Sequence, residues 1–135
     1  MGRFCQVLPH SADLKIRLRA SSWPDLVKKA ALCFSSLVLD SDDFSRRKES
    51  KNIEIVLQGE TKEERLVNFF NDLIFILETQ SLLLKAGKLR DNKFFGFFFE
   101  VKEEEIKERI KSATFHGLKI KRNKDGLRVE VVFDV

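Results

Sequence analysis

A chain of 135 residues and 15.7 kDa has about the usual size of one domain, and 43% hydrophobic against 34% charged residues excludes intrinsic disorder. The 25 basic residues exceed the 21 acidic ones by four, with a pI near 9.1. That excess admits a polyanion or an acidic partner surface without singling either out, because lysine mixed with glutamate also serves solubility.

In chain order, Arg3 to Val7 and Leu14 to Ala20 read as strands, the second alternating Leu14, Ile16 and Leu18 against Lys15, Arg17 and Arg19. Ser22-Trp23-Pro24-Asp25 supplies an N-cap, a first-turn proline and an early acid. The helix it starts carries Leu26, Val27, Ala30, Ala31, Phe34, Leu37 and Val38 as one apolar stripe. Asp40 to Ser50 is polar and reads as a loop, and Ile53, Ile55 and Leu57 mark a third strand ended by Gly59. Thr61-Lys62-Glu63-Glu64 is a capping box opening a second helix to about Thr79, with Leu66, Val67, Phe70, Leu73, Ile74 and Leu77 inward. Leu82 to Val101 reads as two strands about the turn Arg90-Asp91-Asn92-Lys93, and Phe94 to Phe99, apolar at both parities, as a strand buried on both faces. Glu103 to Arg109 fits either a helical turn or a charged loop. Lys111 to Lys121 and Leu127 to Val135 are the last strands, joined by the hairpin signal Asn123-Lys124-Asp125-Gly126. The class expected is α+β, two helices packed on a largely antiparallel β-sheet as a two-layer sandwich, with residues 1–135 forming a single domain.

Met1-Gly2-Arg3-Phe4 lacks an apolar leader, and Gln6 stands where a myristoylation signal requires Ser or Thr. The longest apolar stretch, Phe69 to Leu77, is interrupted by Asn71 and Asp72 and is too short for a bilayer. These features lead us to expect a cytoplasmic protein with no membrane partner. Cys5 and Cys33 have no metal-ligand spacing and read as buried, reduced thiols.

The polar residues that call for chemistry lie near the two ends. His10-Ser11-Ala12-Asp13 follows Pro9 between two strands, where Asp13 serves either as a turn residue or as a ligand. Antiparallel pairing about the last hairpin sets Asp134 against Lys111 to Phe115. Asp134, the terminal carboxylate at Val135 and Asp13, if it converges there, could hold a hard divalent cation beside Lys111. The plainer alternative is a surface Asp134–Lys111 ion pair worth roughly 0 to 1 kcal/mol. His116 beside Gly117 suggests a bulge or a close backbone approach, and with His10 and His116 the only histidines a zinc site is disfavoured. Asn68, Asn71 and Asp72 form a polar helix face, Asp40 a polar helix end, and none of them is assigned a role. No GxGxxG, P-loop or GxSxG motif is present.

The blocks His10-Ser11-Ala12-Asp13, Leu66 to Phe75, Ile110 to Leu118 and Val132-Phe133-Asp134-Val135 together resemble the archease family over nearly the whole chain. Phe115 departs from the family's usual Tyr, and Gln80-Ser81 from an acidic-glycine pair. The resemblance implies a non-enzymatic accessory factor for an RtcB-type RNA ligase in tRNA splicing and RNA repair, promoting guanylylation of the ligase and its multiple turnover. It implies a divalent cation, Ca²⁺ with Mg²⁺ or Mn²⁺ as functional alternatives, held by Asp13, Asp134 and the Val135 carboxylate. Lys111, His10 and His116 would stand nearby or meet the partner, and tRNA would be reached only through the ligase. Two rival readings remain: a metal-dependent phosphoesterase, and a basic RNA-binding module using the Phe-rich strand.

Overall fold

The computed structural model describes residues 4–9 and 13–135. The elements run β1 (Cys5–Leu8), β2 (Leu14–Ala20), α1 (Trp23–Leu39), β3 (Glu49–Val56), α2 (Lys62–Gln80), β4 (Leu82–Arg90), β5 (Lys93–Glu100), β6 (Ser112–Thr114), β7 (Lys121–Asn123) and β8 (Gly126–Asp134). The class is α+β and every strand pair is antiparallel. The strands are divided between two sheets: β1-β2-β8-β6, with β7 also on β8, and β3-β5-β4.

Both helices start as their caps dictate. Ser22 Oγ accepts from Asp25 N at 3.2 Å, and Asp25 Oδ2 accepts from Ser21 N at 2.9 Å. Thr61 Oγ1 accepts from Glu64 N at 3.1 Å, and Glu64 Oε2 accepts in turn from Glu60 N at 3.1 Å. Each cap satisfies amides that have no partner inside the helix.

Each helix touches strands of both sheets, α1 meeting β2 and β4, and α2 meeting β6 and β4. Phe69 and Phe70 show how one helix serves two sheets. Phe69 meets Phe94 of β5 edge-on at 5.0 Å, and Phe70 meets Phe133 of β8 at 4.9 Å. Such pairs add about 0.5 to 1.5 kcal/mol each beyond the apolar area they bury. Ser35, fully buried on α1, donates its hydroxyl to Leu84 O at 2.8 Å, where the β4–β5 register shifts between Leu84 and Ala86. A bulge disturbs the ladder at that point, and the serine supplies a donor to the Leu84 carbonyl beside it.

Several expectations are corrected. Lys111 to Lys121 is not one strand: Leu118 N donates to Phe115 O at 3.0 Å, and Gly117 at φ 65 turns the chain between β6 and β7. A Cβ on Gly117 would meet nothing within 4 Å, so its left-handed backbone and not a close approach calls for glycine. β3 begins at Glu49, inside the expected loop. Glu103–Glu105 forms one 3-10 turn, and the rest of that segment is irregular. Cys5 and Cys33 are buried as expected but form a disulfide joining β1 to α1, with Cα atoms 5.9 Å apart. Spacing along the chain gave no signal for that pairing, which arises because β1 turns Cys5 toward the helix. The Phe run is not buried on both faces either: Phe94, Phe98 and Phe99 are at most 1% exposed, whereas Phe95 and Phe97 keep 36% and 38%.

Among the described residues, no helix is long and apolar enough to cross a membrane.

Candidate functional site

β2 and β8 pair with Leu14 opposite Phe133, and β8 continues to Asp134, which pairs with Ser112 of β6. Leu14 and Phe133 face the core, so the residues next to them face outward. Asp13 directly precedes Leu14 and Asp134 directly follows Phe133, so the two acids flank the last β2–β8 pair. Two carboxylates thus lie at one end of the five-stranded sheet, with Asp13 half-buried and Asp134 exposed.

The neighbours of Asp134 are held from several sides. Ser112 Oγ donates to Asp134 Oδ2 at 3.0 Å, and Lys111 N donates to Asp134 O at 2.8 Å. β6 is itself clamped by Asn71 of α2, whose Oδ1 accepts from Ala113 N at 2.9 Å and whose Nδ2 donates to Ala113 O at 3.4 Å. The carboxamide therefore does for β6 what another strand would do, and fixes Ser112 against Asp134. The sequence showed only a polar helix face here, since the acceptor backbone lies 42 residues away. No ion pair joins Lys111 to Asp134 among the described residues, so the alternative of a surface salt bridge is not formed, and the Ser112 hydroxyl is the side chain that meets Asp134.

His116 is not brought to this place. It lies in the turn after β6, beyond the pairing of Thr114 with Val132, and the chain there runs away from Asp134. Its position two residues past a strand end, and not its chemistry, decides this. Val135 follows Asp134 and is 41% exposed. His10 lies outside the described residues.

Asp40, to which the sequence assigned no role, caps α1 in the left-handed region at φ 52, with its N–H donating to Ser36 O. It lines a depression of about 320 Å³ together with Val7, Leu14, Lys107 and Glu108. Leu14 adjoins Asp13, so Asp40 and Glu108 border the same end of the molecule. The segment after the 3-10 turn reaches this place because Lys107 N and Glu108 N both donate to Val38 O, at 2.7 and 3.2 Å. That contact could not be seen in a charged segment without periodicity.

Among the described residues, no group of three or more His, Cys, Asp and Glu side chains comes together. A cation at Asp13 and Asp134 would complete its shell with water, hydroxyl or carbonyl oxygens. Such an all-oxygen set suits a hard ion of the Ca²⁺ or Mg²⁺ kind and not zinc.

The profile of the Archease protein family (MTH1598/TM1083) matches residues 6–135. The chain is 26% identical over 127 residues to Protein archease of Pyrococcus furiosus, covering 87% of each chain. It is 26% identical over 135 residues to Protein archease of Thermoplasma volcanium, covering 96% of this chain and 98% of that one. In fold it is similar to the solution structure of Methanobacterium thermoautotrophicum protein 1598, with TM-score 0.78, 20% identity and 98% and 99% of the two chains covered. A crystal structure from Thermotoga maritima, described as an archease and possible chaperone (TM1083), superposes with TM-score 0.64 at 23% identity over 96% of both chains. With the family profile, these relatives and this fold all spanning nearly its whole length, the chain belongs to the Archease protein family.

Proposed function

We propose that this archease is an accessory factor of an RtcB-type RNA ligase, presenting a divalent cation at Asp13 and Asp134 to promote guanylylation and repeated turnover of the ligase. The observation that carries the reading is the strand register: Leu14 pairs with Phe133, and the residues next to them, Asp13 before Leu14 and Asp134 after Phe133, are acids from distant parts of the chain brought to one sheet end. Two carboxylates leave most of a hard cation's coordination positions open, as a delivering or orienting site requires and a storage site does not. Such an ion, when bound, would offset triphosphate charge in the partner's active centre. Ser112 orients Asp134, and Asn71 holds the strand that carries Ser112. Lys111, exposed one residue before Ser112, would meet an anionic group of nucleotide or ligase. The Thermotoga relative is described as a possible chaperone, which agrees with an accessory part.

The test is a ligation time course with an RtcB-type ligase, GTP and Mn²⁺ or Mg²⁺, run with substoichiometric archease. The wild type raises turnover, whereas Asp13→Asn and Asp134→Asn melt normally, lose Ca²⁺ binding by calorimetry and fail to stimulate. Full stimulation by both variants would discard the reading. Hydrolysis of a phosphodiester by the purified protein alone, abolished by Asp13→Asn, would replace it with a phosphoesterase.

A further inference from the structure

The outer face of β5 takes no part in the site described above and lies on the other sheet. β5 is the central strand of three, and its alternation separates Phe94 and Phe98 from Phe95 and Phe97, while Phe99, of the latter parity, is covered by Phe44 and Arg47. Phe94 and Phe98 point into the core at 0% and 1% exposure, while Phe95 and Phe97 point outward at 36% and 38%. Two neighbouring rings left in water are unfavourable for a sheet that serves packing alone, since each holds apolar area that a partner could remove from solvent.

Their surroundings indicate the chemistry of that partner. Across the sheet, Phe97 is flanked by Asn52 and Ala86, Phe95 by Glu54 and Lys88, and Lys93 by Val56 and Arg90. Three cations, Lys88, Arg90 and Lys93, therefore border the rings on one side. Arg90 and Lys93 stand directly opposite one another, a like-charge pairing that concentrates positive charge at this edge of the rings. Glu54, 3.6 Å from Lys93, offsets only one of the three. A shallow depression of about 260 Å³ lies between Asn52, Glu54 and the two rings. Gly96 separates the rings because a Cβ there would come within 2.6 Å of the Phe98 ring on the inner face.

We infer that Phe95 and Phe97 form a stacking platform for two unpaired bases of a single-stranded nucleic acid, whose phosphates follow Lys88, Arg90 and Lys93. Alternate residues of a strand lie about 6.8 Å apart, which suits two bases laid side by side on the sheet. The same aromatic-glycine-aromatic spacing on a central strand serves base stacking in RNA-recognition domains. A second copy of the chain is disfavoured as the occupant, since a two-fold contact would bring this cationic border against itself. An apolar peptide would gain nothing from the cations, and a duplex hides its base faces.

The experiment is fluorescence anisotropy of the full-length protein with short labelled single-stranded RNA, single-stranded DNA of the same sequence and the RNA duplex. The single strands bind more tightly than the duplex, and the RNA-to-DNA ratio names the natural class. Phe95→Leu and Phe97→Leu, which keep apolar area without an aromatic face, each weaken binding roughly fivefold to a hundredfold, whereas Phe95→Tyr and Phe97→Tyr retain it. Lys88→Gln/Arg90→Gln lowers the salt dependence of log affinity by about 0.7 per cation removed. Wild-type affinity in both leucine variants overturns the proposal. So does a duplex bound as tightly as the single strands, or a wild-type dimer in sedimentation that the leucine variants dissociate. Because all substitutions lie on the solvent face, a normal melt for each variant assigns a loss of binding to the platform.

Discussion

The two sheets share one core and differ on their outer faces. On the five-stranded sheet the outward positions are charged: Glu130 of β8 meets Arg17 at 2.8 Å and Lys15 at 3.3 Å, Arg19 stands opposite Arg128, and the acids Asp13 and Asp134 lie at one end. On the three-stranded sheet the outward centre is aromatic, with Phe95 and Phe97 between a cationic border and a single acid. Inner faces must complement helices and so come to look alike. Outer faces are released from packing and are free to differ: one carries ion pairs and carboxylates, the other exposed aromatic rings beside cations.

Substitutions on the two faces of one strand should give the largest contrast. Phe94→Ala removes a ring with no exposure that packs on Phe69, and should cost about 3 to 5 kcal/mol in urea unfolding. Phe95→Ala, one residue on, should cost under about 1 kcal/mol. Equal losses would place both rings in the core and end the distinction between the faces. Next in size is Asn71→Ala, which strips two hydrogen bonds from Ala113 and should cost about 1 to 3 kcal/mol. If Asp134 holds the proposed cation, the substitution should also weaken Ca²⁺ binding, since Asn71 holds the strand that carries Ser112. Unchanged Ca²⁺ affinity in a destabilised Asn71→Ala would separate the clamp from the site.

Ser22→Ala and Thr61→Ala each remove an N-cap acceptor and should cost about 1 kcal/mol, leaving both outer faces intact. The smallest effects distinguish two acids by sign. The Arg17 hydrogen bond, helped by Lys15 against some desolvation, holds Glu130 below its ordinary value. Its stabilisation is present above the unfolded carboxylate pKa and is lost as pH falls through the lowered folded value. Being partly exposed, it is worth at most about 1 kcal/mol, and Glu130→Gln should flatten that acid limb. Burial alone raises Asp72 on α2, so it opposes folding at neutral pH and ceases to do so as pH falls through its raised value. Asp72→Asn should therefore raise the melting temperature at pH 7 and leave it nearly unchanged at low pH.

Much of the local structure was legible in the chain. Ser22 and Thr61 announce both helices because a cap needs only the residues beside it, and Asn123 to Gly126 announces the last hairpin for the same reason. That hairpin also set Asp134 within reach of Ser112, since antiparallel register follows from where the turn lies. Hidden were the disulfide between Cys5 and Cys33, the break at Gly117, the Asn71 clamp on Ala113 and the place of Asp40 beside Leu14.

By itself, the sequence determined what elements of the chain do over a few residues: which segments coil, which extend, where they cap and turn, and which carboxylates are available. Only the tertiary structure decided how the strands divide into two sheets, which phenylalanines of one run face water, and that Asp13 and Asp134 flank the same β2–β8 pair. The reason is that hydrophobic periodicity records that a residue is apolar but not which surface will cover it. Covering is a contact between distant segments, and it exists only once both helices lie between the sheets.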